Sequence, residues 1–174
     1  MMGSEGVKPD LYAITSVLHA CACNGFLDQG NNVHDFVARN ALESHLFVAD
    51  ASMDMYAKHG DMEAARVVFD CTTRKNIVAW NTMIGGYSKN CLPNEALNLF
   101  NEMQSYLRPN SVTLACVLPA AASLSSLEKG REMHGRILRA ENLLDGHVSN
   151  ALVDMYAKCG ALLLARRLFD QITD

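Results

Sequence analysis

Six cysteines (Cys21, Cys23, Cys71, Cys91, Cys116, Cys159) and six histidines (His19, His34, His45, His59, His134, His147) are among the side chains here that could ligate a metal or act as nucleophiles. Their spacing supports neither role. No two cysteines stand in C-x-x-C, and no histidine opens H-x-E or H-x-x-x-H. Cys21 and Cys23 are two apart, which on a helix turns them away from each other. The thiols are therefore expected to be reduced, buried and used as small apolar residues. No metal and no cofactor is expected.

The elements that carry these residues belong to an ordinary globular chain. Its 174 residues are 49% hydrophobic and 20% charged, which excludes disorder, collagen and low-complexity sequence. The net charge is −4, a handicap for nucleic-acid binding, which a basic surface normally serves. No run approaches the roughly 18 consecutive apolar residues of a membrane span. Met1–Gly6 has neither the cationic-then-apolar plan of a secretory signal nor an Arg- and Ser-rich transit composition. It reads as an added leader joined to an internal segment, so residues 1–10 are taken as leader plus the end of a preceding repeat.

A shift of 100 residues superimposes the chain on itself. Val48–Asp70 and Val148–Asp170 agree at twelve of 23 positions, including Asp54-Met55-Tyr56-Ala57-Lys58 against Asp154-Met155-Tyr156-Ala157-Lys158. The same shift pairs Leu27, Gly30, His34 and Arg39 with Leu127, Gly130, His134 and Arg139. Such a period is too long for one solenoid repeat, and it subdivides. Each part holds an apolar run of helical spacing, a turn, and a second such run. Val48, Ala51, Met55 and Tyr56 form one stripe, which Gly60 stops. Trp80, Met83, Ile84 and Tyr87 form another; Pro93 opens the helix that follows. The units are 11–45, 46–76, 77–110, 111–145 and 146–174. Nothing alternates at period 2 for long, and the Ala, Met, Leu and Glu content favours helix. Helix pairs of this size bury their apolar faces only by stacking. The expected fold is all-α: a right-handed superhelical solenoid of helix-turn-helix repeats, about ten helices in all.

Asn76-Ile77-Val78-Ala79-Trp80-Asn81-Thr82-Met83-Ile84-Gly85-Gly86-Tyr87, with Asn94–Phe100 and Arg108-Pro109-Asn110, resembles a plant pentatricopeptide repeat. Val148–Gly160 resembles the short variant of that family. Leu27–Gly30 with Val33-His34, and Leu124–Gly130 with Met133-His134, resemble the long variant. The order long, short, standard, long, short resembles the mixed-length PLS subclass, with the last unit truncated. The tetratricopeptide family is the alternative, since A-x-x-x-F occurs at Ala65/Phe69, Ala96/Phe100 and Ala165/Phe169. Uneven units and the missing W-x-x-L-G-x-x-Y disfavour it.

The resemblance implies a module that binds single-stranded RNA in a sequence-specific way, one base per repeat. Two positions per unit would read the base, one on the first helix and one at the unit's end. These are Thr15 with His45, Asp50 with Asn76, Asn81 with Asn110, and Ala115 with Asp145; Asn150 opens a fifth pair. Two amides offer donors and acceptors to a base edge, and in the family Asn with Asn implies a pyrimidine, cytidine above uridine. Asp50 with Asn76 departs from the family's common combinations. The competing reading of such polar residues is helix capping. Tyr12, Phe47, Val78, Val112 and His147 would sandwich the bases, or else pack the first turns of neighbouring helices. Lys58, Lys89 and Lys158 end first helices, where they suit the helix dipole and would approach phosphate. Three such contacts give weak binding, no tighter than about micromolar for this stretch alone.

The resemblance further implies a plant organelle RNA-processing or C-to-U editing factor, in mitochondrion or chloroplast. Deamination needs H-x-E and C-x-x-C, which are missing, so the chain is read as a recognition module and not an enzyme. The alternative is a protein-binding helical scaffold, including docking of organelle RNA-editing cofactor proteins on long variants. Self-association through the apolar ends near 11–18 and 162–169 is a further expectation.

Overall fold

In the computed structural model, residues 9–139 and 145–173 are described. The leader assigned to Met1–Gly6 and part of the fourth unit, 140–144, lie outside them. The described residues form ten α-helices: α1 Leu11–Asn24, α2 Leu27–Arg39, α3 Leu46–His59, α4 Met62–Cys71, α5 Ile77–Lys89, α6 Pro93–Met103, α7 Ser111–Ser123, α8 Leu127–Arg139, α9 Gly146–Lys158 and α10 Leu162–Thr173. A single 3-10 turn, Leu42–Ser44, precedes α3. No strand occurs among the described residues.

Local chemistry sets the helix ends. Gly60 takes the left-handed conformation that a side chain would resist (φ 84°) and donates its N–H to Ala57 O, closing α3. Asp61 then accepts from Ala64 N at 2.9 Å and opens α4. Pro93 is the first residue of α6, where its missing N–H costs nothing. Pro119 lies inside α7, a position the sequence pattern did not single out.

The chain divides into two compact units, Met1–Gly86 and Tyr87–Asp174. In the first, α1 packs on α2 and α3, and α3 on α4. Leu18, Met53, Met55 and Phe69 are buried there, and Phe69 meets Trp80 edge-on with centroids 5.0 Å apart. In the second, α7 packs on α6, α8 and α9, and α9 on α10, around Phe100, Met103, Leu118 and Leu152. First helices thus lie beside first helices, α1 by α3 and α7 by α9. That placement puts the starts of consecutive repeats next to each other.

Two glycines permit the closest approach. A Cβ on Gly30 would stand 2.7 Å from Sδ of Met55, and one on Gly130 would collide with Sδ of Met155. The thiols depart from expectation. All six cysteines are free, but only Cys21 is buried; Cys23, Cys71 and Cys91 are exposed, and Cys116 and Cys159 are half-buried. Cys71 ends α4 and Cys91 sits in a turn, at φ 59°, so neither is on an apolar stripe.

Candidate nucleic-acid interface

The starts of α1, α3 and α5 open onto one groove in the first unit. It encloses about 670 Å³ and is lined by Leu11, Tyr12, Thr15, His19, Phe47, Asp50, Ala51, Asp54, Asn76, Val78 and Thr82. Its walls are apolar and its floor is polar. Tyr12 and Phe47 are 81% and 77% exposed, and Val78 is 50% exposed. Nothing in the core requires large rings to stand in solvent, so their faces are available to a flat ligand.

Capping fixes the floor. Oδ1 of Asn76 accepts the N–H of Ala79 at 2.7 Å, which caps α5. That bond turns the amide nitrogen outward, and Nδ2 donates to Oδ2 of Asp50 at 3.0 Å. Capping and side-chain pairing therefore use different atoms of one residue. Asp50 forms no ion pair among the described residues, and its Oδ1 is shielded from solvent without a donor. Burial pushes the Asp50 carboxyl above its usual range, and the bond from Asn76 partly opposes this.

The other sequence-derived positions separate. Oγ1 of Thr15 donates to Tyr12 O within α1 at 3.0 Å. His45 is exposed at the start of α3, makes no capping bond, and does not line the groove. Asn81 is half-buried on α5 beside Thr82. Asn110 caps α7 through a capping box: its Oδ1 accepts from Thr113 N, and Thr113 Oγ1 accepts from Asn110 N. Asp145 caps α9 by accepting from Val148 N at 2.9 Å, and that bond heads the causes holding its carboxyl below the usual range. Val112 is 55% exposed, and His147 and Asn150 are exposed.

The lysines are less available than their helix ends suggest. Lys58 donates to Asp54 and Lys158 to Asp154, each at 2.7 Å. His19 Nδ1 stands 3.7 Å from the same Asp54 carboxylate. Lys89 is exposed at the end of α5. Sequence reasoning missed Asp54 and His19 as groove residues. Asp54 and Lys58 sit four apart on one helix, and that spacing was the available signal for their pairing. No cluster of His, Cys, Asp or Glu suited to a metal occurs among the described residues, and no helix there is long and apolar enough to cross a membrane.

Comparison with known proteins adds three findings. The PPR repeat family matches residues 75–122, and the PPR repeat matches residues 53–77 and 147–174. The chain is 55% identical over 173 residues to the chloroplastic pentatricopeptide repeat-containing protein DOT4 of Arabidopsis thaliana, covering 98% of this chain and 20% of that one. A putative mitochondrial pentatricopeptide repeat-containing protein of the same plant is 37% identical, with 100% and 28% covered. The chain therefore spans between 20% and 28% of the length of these two curated relatives. Among solved structures, PPR10 in complex with an 18-nt psaJ RNA element superposes with a TM-score of 0.78 at 27% identity, covering 94% of this chain and 25% of that one. PPR10 from maize gives 0.74 at 26% identity, with 97% and 25% covered.

Proposed function

This chain belongs to the pentatricopeptide (PPR) repeat family, and we propose that it is a single-stranded RNA-binding module, one base per repeat, within a longer organelle protein. The observation that carries the reading is the groove of the first unit. There, exposed side chains at Tyr12, Phe47 and Val78, two of them aromatic, alternate with polar groups at Thr15, Asp50 and Asn76. Stacking supplies affinity without sequence preference, and the polar floor supplies choice. Consecutive bases would be held between Tyr12 and Phe47, then between Phe47 and Val78. Val112 and His147 play the same part further along, with Thr15, Asn81, Asn110 and Asn150 as readers.

The relatives' chloroplastic and mitochondrial names support an organelle setting, and the unequal repeats support the PLS subclass and editing factors within it. The chain's own part is recognition. No residue constellation for bond-making is proposed, and any deamination would fall to another domain with its own zinc chemistry.

Phosphate contact is the weaker half of the design. Lys58 and Lys158 each neutralise an aspartate before they meet RNA, which leaves Lys89 as the least committed of the three. Binding should weaken with salt, but on a shallow slope. The test is fluorescence anisotropy with a short single-stranded RNA of randomised sequence and with a duplex, each at two salt concentrations. Tighter binding of the single strand, with a shallow salt slope, supports the reading. Equal affinity for both forms contradicts it. Retention of neither would favour the protein-binding reading, for which the exposed Val17 and Phe26 on the long first repeat are the observation.

A further inference from the structure

We propose that the groove between α6 and α8 binds an extended, acidic peptide segment of a partner protein. These are the second helices of the third and fourth repeats; both pack on α7, and the groove between them encloses about 150 Å³. Asn94, Asn98 and Asn101 line it from α6, and Lys129, Glu132 and Arg136 from α8. Its apolar part is the half-buried Leu97 and the buried Met133. It shares no lining residue with the groove of the first unit.

The amides point to an extended main chain. Asn94 and Asn98 are exposed, and their side chains make no hydrogen bond among the described residues. Each offers an acceptor oxygen and two N–H donors. Four residues along a helix rise by about 6 Å. In an extended chain the N–H and C=O of one residue point the same way, and the next residue to repeat that direction lies two further on, about 6.6 Å away. The two asparagines can therefore each pair with both main-chain groups of alternate residues in one segment. A helical ligand has already spent these groups on its own turns. Asn101 is committed instead to the groove itself, because its Oδ1 accepts from Arg136 at 3.3 Å and so bridges α6 to α8.

Charge sets the side-chain preference. α8 carries Lys129, Arg131, Arg136 and Arg139 against Glu128 and Glu132, in a chain of net charge −4. Inside the groove Arg136 donates to Glu132 at 2.7 Å, so those two charges cancel. Lys129 is exposed and forms no ion pair among the described residues. The offset of 35 residues that joins Asn101 to Arg136 also relates Asn94 to Lys129. Both of the latter lie in first helical turns, where the backbone dipole favours an anion. Glu95 and Glu128 stand in the same turns but do not line the groove. A carboxylate carried by the bound segment would meet Lys129. RNA fits less well, since no aromatic ring lines the groove to stack a base and one uncommitted cation makes a poor phosphate track. The first long repeat has Gln29 and Phe36 where the fourth repeat has Lys129 and Arg136. The cationic groove is thus particular to this repeat and not part of the common repeat plan.

The experiment is selection of displayed random peptides on this chain, followed by anisotropy measurements of the enriched peptides on the chain and on Asn98→Ala and Lys129→Glu. Both substituted positions are exposed, and circular dichroism establishes that the three proteins are equally helical. The native chain should enrich peptides rich in Asp and Glu. Asn98→Ala should weaken them about tenfold whatever their side chains, the worth of two main-chain hydrogen bonds. Lys129→Glu should abolish the acidic preference. No enrichment, enrichment without acidic residues, or unchanged affinity in both folded variants overturns the proposal. A single-stranded oligouridine that displaces the peptides and itself binds more weakly to Lys129→Glu would assign the groove to RNA, which also overturns it. None of the first three results touches the RNA-binding reading, which rests on the other groove.

Discussion

The hydroxyl of Tyr56 lies 3.1 Å from Nδ1 of His34, and one hundred residues later the hydroxyl of Tyr156 lies 2.9 Å from Nδ1 of His134. In both places the rings also meet edge-on, with centroids 5.4 and 5.6 Å apart. Each bond ties the second helix of one helix pair to the first helix of the next, α2 to α3 and α8 to α9. Tyr56→Phe and Tyr156→Phe should each cost about 1 kcal/mol, the net worth of a part-buried hydrogen bond. Urea unfolding of each variant measures this. Variants as stable as the parent would mean that the ring contact alone holds the junction.

A pH dependence follows from the second pair. Burial lowers the imidazole pKa of His134 below its ordinary value. The unfolded chain takes up that proton near about pH 6.5 while the folded chain resists it. This contribution to stability is therefore complete above about 6.5 and is lost as pH falls from there towards the folded value. His134→Gln should show a shallower loss of stability between about pH 7.5 and pH 5.5 than the parent. Parallel curves would remove His134 from the account.

The glycines make opposite predictions. Gly30→Ala gains about 1 kcal/mol of helix propensity but drives a Cβ to within 2.7 Å of the Sδ of Met55, which is wholly buried. Overpacking costs about 1–3 kcal/mol, so the variant should be destabilised by up to about 2 kcal/mol. Gly135→Ala lies within α8 with no atom within 4 Å of the new Cβ. It should stabilise the chain by about 0.5–1 kcal/mol. Denaturant titration of the two variants decides both signs.

For the third repeat, Asn81→Thr should move base preference from pyrimidine towards adenine while Asn110 is unchanged. Threonine presents one short hydroxyl where asparagine presents a longer amide, which leaves room for a purine. Asn and Thr have similar helix propensities, so α5 should survive. The shift should be about tenfold in relative affinity, read on RNAs that differ at one nucleotide, with the unit embedded in a longer array. Parental base order in a folded variant would make Asn81 a surface residue only.

The repetition carried most of the fold. The identity between Val48–Asp70 and Val148–Asp170 announces helices whose stops and starts, at Gly60 and Pro93, have local causes that a sequence displays. Gly30 and His34 were visible as matched positions, but their partners Met55 and Tyr56 come from the next repeat and depend on how helices approach. The Asp50–Asn76 bond was hidden for the same reason. It exists because Asn76 caps α5 and so aims its amide at α3, whereas sequence reasoning set capping and recognition against each other. The thiols misled because Cys71 and Cys91 sit at a helix end and a turn, where burial does not follow from residue type.

The central claim is that RNA enters the groove of the first unit, and backbone-amide NMR during titration with a short single-stranded RNA tests it most directly. Shifts should concentrate at the starts of α1, α3 and α5, around Tyr12, Phe47, Asp50 and Val78. They should fall about tenfold in apparent affinity in Phe47→Ala, the worth of one stacked base, and the exposed position of Phe47 means the fold should persist. Shifts confined to the second helices, for instance at the groove lined by Asn98, Asn101, Lys129 and Arg136, with the Phe47→Ala affinity unchanged, would contradict the account.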